Sequence, residues 1–374
     1  MGNRLLEGET KVKRDTSLDV IRIIALFCVI SIHFFLNTDY YDVTIEGKQI
    51  YFMTLFRSFF RICVPLFLIL SGYLKNQKVL NITYYKSFSK IAFVYILASI
   101  GCLIFRYAYL CEDISINNGF FSILNFNASE YAWYVEMYIG LLLLIPFLNI
   151  LWCNLQRKSK NVLLISMLFL TALPGIFNIY DFDVNEWWQD SQGSTFYNKL
   201  LPDFWDNLYP VTYYFIGCFM YEQRNKLKKH IGRDVIILLA AAIILGSFCF
   251  FRSYGSVFKW GKWESRGALP VVIMSFFVFR LLKNMNFDKL PDFIKKILHL
   301  ISDACFGGYL ISFIFDQIYY NKFDSNITGK ASWFRSYMMI VPLVFVSSIL
   351  FSIIINLIYK IIFYKINERD KRII

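Results

Sequence analysis

The chain has 374 residues, 57% of them hydrophobic and 19% aromatic, with only 18% charged and a formal net charge of +12. Apolar stretches of about 18 to 25 residues recur from end to end, the length that crosses a bilayer as a helix. This excludes a soluble enzyme and predicts an all-α, polytopic membrane protein whose positive charge serves topology and anionic lipid, with no nucleic-acid partner.

Ten spans are predicted: 18–36, 52–74, 90–110, 131–152, 161–180, 207–222, 233–251, 267–284, 297–319 and 337–363. The first reads LDVIRIIALFCVISIHFFL and carries Asp19, Arg22 and His33. Eleven helical steps return a side chain to nearly the same face about 16 Å along the axis. Arg22 and His33 therefore share a stripe, one near each end. The second span holds Arg57 and Arg61 one turn apart, then Ser71-Gly72, and is followed by Lys86 and Lys90. The fourth carries Glu136 near its start, the eighth ends on Arg280, and the ninth holds Asp303, Ser312 and Asp316. The sixth is short.

Basic residues collect in the N-terminal tail (Lys11, Lys13, Arg14) and in the second, fourth, sixth and eighth loops. They recur in the C-terminal tail (Lys365, Arg369, Lys371, Arg372), while residues 111–130 contain none. The positive-inside rule places both termini in the cytoplasm. A single membrane domain over residues 1–374 is expected, with short tails 1–17 and 364–374, no cleavable signal peptide and no soluble domain. The eight cysteines lie mostly inside spans and form no CxxC or Cys/His cluster, so neither a disulfide framework nor a metal site is expected. Trp187, Trp188, Trp205, Trp260, Trp263 and Trp333 in the outer loops read as an interfacial belt or as a stacking surface for sugar rings.

Sorted by depth, the polar residues form an outer layer of His33, Glu136, Asp316, Arg57 and Arg61. An inner layer holds Asp19, Arg22, Ser71, Asp303 and Arg280. An ionisable residue in hydrocarbon is a functional-site hypothesis by default. His33 is the one deep histidine of three. It reads as a hydrogen-bonded structural residue or as a general base oriented by a carboxylate, for which Glu136 lies at the right depth. Arg22 is a partner of Asp19 or a clamp for a phosphate- or thioester-bearing cofactor. Arg57 and Arg61 either neutralise Glu136 and Asp316 or touch substrate. Ser71-Gly72 reads as close helix packing, and Arg280 as snorkelling to the inner surface.

Several blocks of the chain resemble the membrane acyltransferase-3 family. LDVIRIIALFCVISIH (18–33) resembles its opening helix, with arginine, ten intervening residues and histidine. VPLFLILSGYL (64–74) resembles its Ser-Gly-aromatic-Leu signature, and AWYVEMYIGLLLLIP (132–146) its Trp-aromatic helix. YYFIGCFMYE (213–222) and CFGGYLISFIFD (305–316) resemble later helices. Two positions depart from the pattern: Lys86 and Lys90 stand where many members carry paired arginines, and Ser312 where many carry histidine. The appended hydrolase-like domain of some members is also missing from this sequence.

The resemblance implies an O-acyltransferase moving an acetyl or other short acyl group from acyl-CoA to a hydroxyl of a surface or exported polysaccharide, or of its lipid-linked precursor, at the plasma membrane. On that reading Arg22, Lys86 and Lys90 hold the CoA end, and the pantetheine arm follows the stripe to His33. His33 serves as base, or as the carrier of a transient acyl group, with Glu136 orienting it. Arg57, Arg61, Ser71 and Asp316 face the substrate or the oxyanion. A transporter or flippase, and a silent scaffold in glycan assembly, are the other classes consistent with the residues.

Overall fold

In the computed structural model, described for residues 14–86, 88–181, 197–225, 230–327 and 333–370, the chain is a bundle of helices with no strand among the described residues. The helices are α1 (Thr16–Leu36), α2 (Gly47–Phe60), α3 (Cys63–Lys75), α4 (Ile82–Lys86), α5 (Phe88–Ala108), α6 (Ile116–Leu124) and α7 (Trp133–Asn154). They continue with α8 (Arg157–Thr171), α9 (Pro174–Phe177), α10 (Tyr209–Glu222), α11 (Ile231–Ser253), α12 (Leu269–Asn284), α13 (Asp292–Ile327) and α14 (Trp333–Asp370).

Nine segments among the described residues are long and apolar enough to cross a membrane. The remaining predicted span, the sixth, is α10, which at 14 residues is about 21 Å long. It still fills a full place in the bundle. Its Tyr213 hydroxyl reaches the Arg266 carbonyl at one end, and Glu222 accepts from Trp152 and Lys160 at the other. Counting it, successive passes alternate in direction. Arg14 bonds Asp303, and Asn356 of α14 also bonds Asp303, so the start of α1 and the later turns of α14 lie at one end of the bundle. We call this the Arg14 end. The other is the His33 end.

Local sequence explains the shape of the site-bearing helices. Asp15 caps α1 by accepting from the Ser17 backbone N–H at 3.0 Å. At the far end the Asn37 side chain donates to the freed His33 carbonyl at 2.8 Å. The second predicted span breaks at Arg61–Ile62 into α2 and α3. Pro65 has no N–H to offer the Arg61 carbonyl, and the ladder is interrupted there. The break separates Arg57, buried in the last turn of α2, from α3.

α3 and α10 cross at Gly72 and Gly217. A Cβ added to either would collide with the backbone of the other helix, at Tyr214 or at Ile69 and Tyr73. This close approach accounts for the Ser-Gly dipeptide as small-residue packing. α1 and the α2–α3 segment are the most enclosed passes. α1 packs on α3, α12, α13 and α14, so its face between Arg22 and His33 looks into the centre of the protein.

Two expectations change in this frame. Arg280 does not run free to the surface: its Nε lies 2.9 Å from the buried Asp234 carboxylate. The tryptophans at the His33 end are not a uniform belt. Trp333 is buried against Tyr40, Trp260 packs on Tyr41 and Phe258, and Trp263 meets Phe248. Trp205 is exposed, and Trp187 and Trp188 lie outside the described residues.

Candidate active site

Two cavities line the stripe on α1. The larger, about 380 Å3, lies toward the Arg14 end and is walled by Arg22, Ser71, Lys75, Lys90, Tyr138 and Asp303 with apolar neighbours. The smaller, about 150 Å3, lies toward the other end and is walled by His33, Arg61, Glu130, Tyr131, Trp133 and Arg266, among others. Val29, Val64 and Tyr309 belong to the walls of both. Arg22, Val29 and His33 are seven and four residues apart, which puts them on one helical face.

His33 is almost fully enclosed, and its ring lies face to face with Tyr131, centroids 3.6 Å apart and planes 22° from parallel. Its Nδ1 is 3.3 Å from Asp316 Oδ2 on α13, an approach out of line for a full hydrogen bond. The Tyr131 hydroxyl donates to the same carboxylate oxygen at 2.7 Å. Asn37 in turn reaches the Tyr131 hydroxyl at 3.3 Å. Tyr309 donates to the Tyr131 carbonyl, fixing the segment that carries the stacked ring. Asp316 is fully buried, behind His33 as seen from the cavity. The ring is therefore backed by a carboxylate on Nδ1, while Nε2 has no protein partner among the described residues. That is the arrangement of an imidazole able to take a proton from a group in the cavity.

The carboxylate expected beside His33 was Glu136, and this is corrected. Glu136 lies on the exposed face of α7, and Asp316 occupies the place beside the ring. Depth along the bundle placed both carboxylates alike; the rotation of α7 about its axis separates them.

Arg57 is also corrected. It meets neither Glu136 nor Asp316 and does not line the His33 cavity. It is fully buried and ion-paired with Glu264 in the loop before α12. Its Nε donates to Tyr41 at 2.9 Å, and Phe258 and Trp260 close over the guanidinium at 4.0 and 4.9 Å. Burial of such a pair is tolerable because each charge is matched and the cation is covered by ring faces. The pair pins the 255–266 loop over the bundle end. Arg61 then uses Nε and Nη2 to grip the Glu264 backbone carbonyl, at 3.0 and 2.7 Å.

In the larger cavity, Arg22 Nη1 donates to Ser302 and lies 3.4 Å from Asp19, leaving Nε and Nη2 without a protein partner among the described residues. Asp19 is engaged chiefly by Arg14, at 2.5 and 2.9 Å. Arg22 is thus only partly spent on its neighbour. Lys90 lines the same cavity, whereas the side chain of Lys86 lies outside the described residues. Ser71, expected in the inner layer, lines the larger cavity with Arg22 and Asp303, donating to the Phe67 carbonyl and bonding Tyr138 at 3.1 Å, away from His33. Ser312, at the position where histidine was noted in the resembling family, turns back on the Tyr309 carbonyl of its own helix.

Sequence reasoning missed Tyr131, Tyr309, Lys75 and Arg266. Tyr131 and Arg266 fall outside helices, in loops whose return to the cavity no periodicity reveals. Lys75 falls one residue past the predicted second span, although it belongs to the last turn of α3.

A sequence profile described as an acyltransferase domain matches residues 15–357, nearly the whole chain. The chain belongs to the acyltransferase-3 family. It is accordingly a membrane acyltransferase. No curated protein and no solved structure matches it.

Proposed function

We propose that the protein transfers an acyl group, acetyl being the simplest, from acyl-CoA on one side of the membrane to a hydroxyl of a glycan on the other. The acceptor is a surface or exported polysaccharide or its lipid-linked precursor, at the plasma membrane. The supporting observation is the pair of cavities that share Val29, Val64 and Tyr309, with cations around one and His33 on the other.

The Arg14 end carries the basic loops and faces the cytoplasm on the positive-inside rule. The CoA phosphates are held there by Arg22, Lys75 and Lys90, with Lys86 in the adjoining helix. The pantetheine arm lies along the stripe, and the thioester stops at the Val29–Val64–Tyr309 wall. The hydroxyl enters from the His33 side. His33 Nε2 takes its proton as the oxygen attacks the thioester carbonyl. The C–S bond then breaks, and the CoA sulfur leaves with the proton from His33. Asp316 keeps the imidazole in the tautomer that needs Nε2 free and balances its charge when protonated.

The test uses purified protein in nanodiscs with acetyl-CoA and a glycan acceptor, following free thiol and acetylated sugar. Wild type should release CoA with the acceptor and form an ester. His33→Ala should lose about two to four orders of magnitude of rate, the span of general-base catalysis, without loss of folded protein. A folded His33→Ala variant with normal transfer would remove the base from this account.

A further inference from the structure

The smaller cavity holds more positive charge than base chemistry needs. Arg61 and Arg266 both line it with His33. Arg61 spends two donors on a backbone carbonyl, which carries no formal charge. The Glu264 carboxylate that could have paired with it is taken by Arg57. Arg266 lies with its guanidinium 4.0 Å over the face of Trp133 and forms no ion pair among the described residues. Glu130 is the one carboxylate in the same wall; it is exposed and likewise forms no ion pair among the described residues. Asp316 lies behind the His33 ring and does not line the space. Two guanidinium groups therefore line a half-open cavity against a single, outward carboxylate.

Holding two guanidinia together in a bundle of low dielectric is unfavourable unless an anion arrives to balance them. The planar fork suits oxygen anions. The Arg57–Glu264 pair holds the backbone from which both cations are presented, since Glu264 bonds Arg61 and Arg266 follows two residues later.

We propose that Arg61 and Arg266 form an anion subsite, so that the acceptor is an acidic sugar: its hydroxyl meets His33 while its carboxylate or phosphate lies between the two guanidinia. This rests on the acyl-transfer reading above. Trp133, beneath Arg266, supplies the apolar face on which the sugar ring can lie beside the charge.

The test separates binding from transfer. Full-length protein in nanodiscs is titrated calorimetrically with glucuronate, with glucose 1-phosphate and with glucose, without acyl-CoA. At least one of the two anions should bind tenfold or more tightly than glucose, and which one wins tells a carboxylate sugar from a phosphate-linked one. The preference should shrink in 0.5 M salt and disappear in Arg266→Gln and in Arg61→Gln. Equal binding of all three by wild type would overturn the proposal, whatever the variants do. So would variants that stay folded and keep the preference. An alternative use of the two arginines, stabilising the oxyanion of the thioester, predicts no preference in this donor-free titration, and that outcome also counts against the proposal. Acetyl-CoA turnover by wild type is measured in parallel, so that a protein with no acyl chemistry is recognised independently of its choice of sugar.

Discussion

Asp316 is the residue whose role the geometry changes most. It is buried beside His33 and bonded by Tyr131, so on the proposed mechanism it acts through the ring. Asp316→Asn should lower kcat by about two to four orders of magnitude with little change in acceptor KM. Glu136→Gln, on the exposed face of α7, should leave the rate near wild type. A large loss at Glu136 with none at Asp316 would reverse the assignment. The Arg22–His33 stripe was legible because spacing on a helix fixes azimuth as well as depth. The partner of His33 was not, because Asp316 and Glu136 sit on other helices at similar depth. Rotation of those helices is set by packing that one sequence does not display.

Among the elements, the join of α2 and α3 and the crossing of α3 with α10 set the position of the cavity walls. Pro65 is plain in the sequence, but its consequence, the break that sends Arg57 to Glu264 and Arg61 to the cavity wall, depends on the loop before α12. Glu264→Gln leaves the Arg57 charge buried without its partner and should cost about 3–5 kcal/mol. Pairing it with Arg57→Met should recover most of that loss, since an apolar side chain needs no counter-charge. Thermal unfolding in detergent, run on the single and double variants, reads this directly; a double variant no more stable than the single would show that the pair is not the main tie. Gly217→Ala tests the crossing, where the added methyl meets the α3 backbone. Overpacking of this kind costs about 1–3 kcal/mol, visible as a lower melting temperature, and an unchanged melt would mean that α3 and α10 are not so close.

For the whole molecule, the helical membrane class and nine of the ten predicted passes were readable from apolar length alone. The sixth pass was the doubtful one because α10 is shorter than a bilayer core, and its place in the bundle comes from its contacts with α3 and α8. What length and charge do not reveal is the internal space: two cavities meeting at Val29, Val64 and Tyr309, built from side chains of α1, α3 and α13. Alternating passes predict that reporter fusions after Ile374 and within the 197–206 segment lie on opposite sides of the membrane, with the former cytoplasmic. Both on one side would break the assignment of the larger cavity to the donor.

The sidedness of transfer tests the central claim most directly. Protein is reconstituted in sealed proteoliposomes with the Arg14 face outward, labelled acetyl-CoA is supplied outside, and a membrane-impermeant acidic glycan acceptor is enclosed within. The account predicts labelled ester on the enclosed acceptor, with free CoA remaining outside and no signal from His33→Ala. Transfer only when donor and acceptor share a compartment, or equal transfer by His33→Ala, would contradict it.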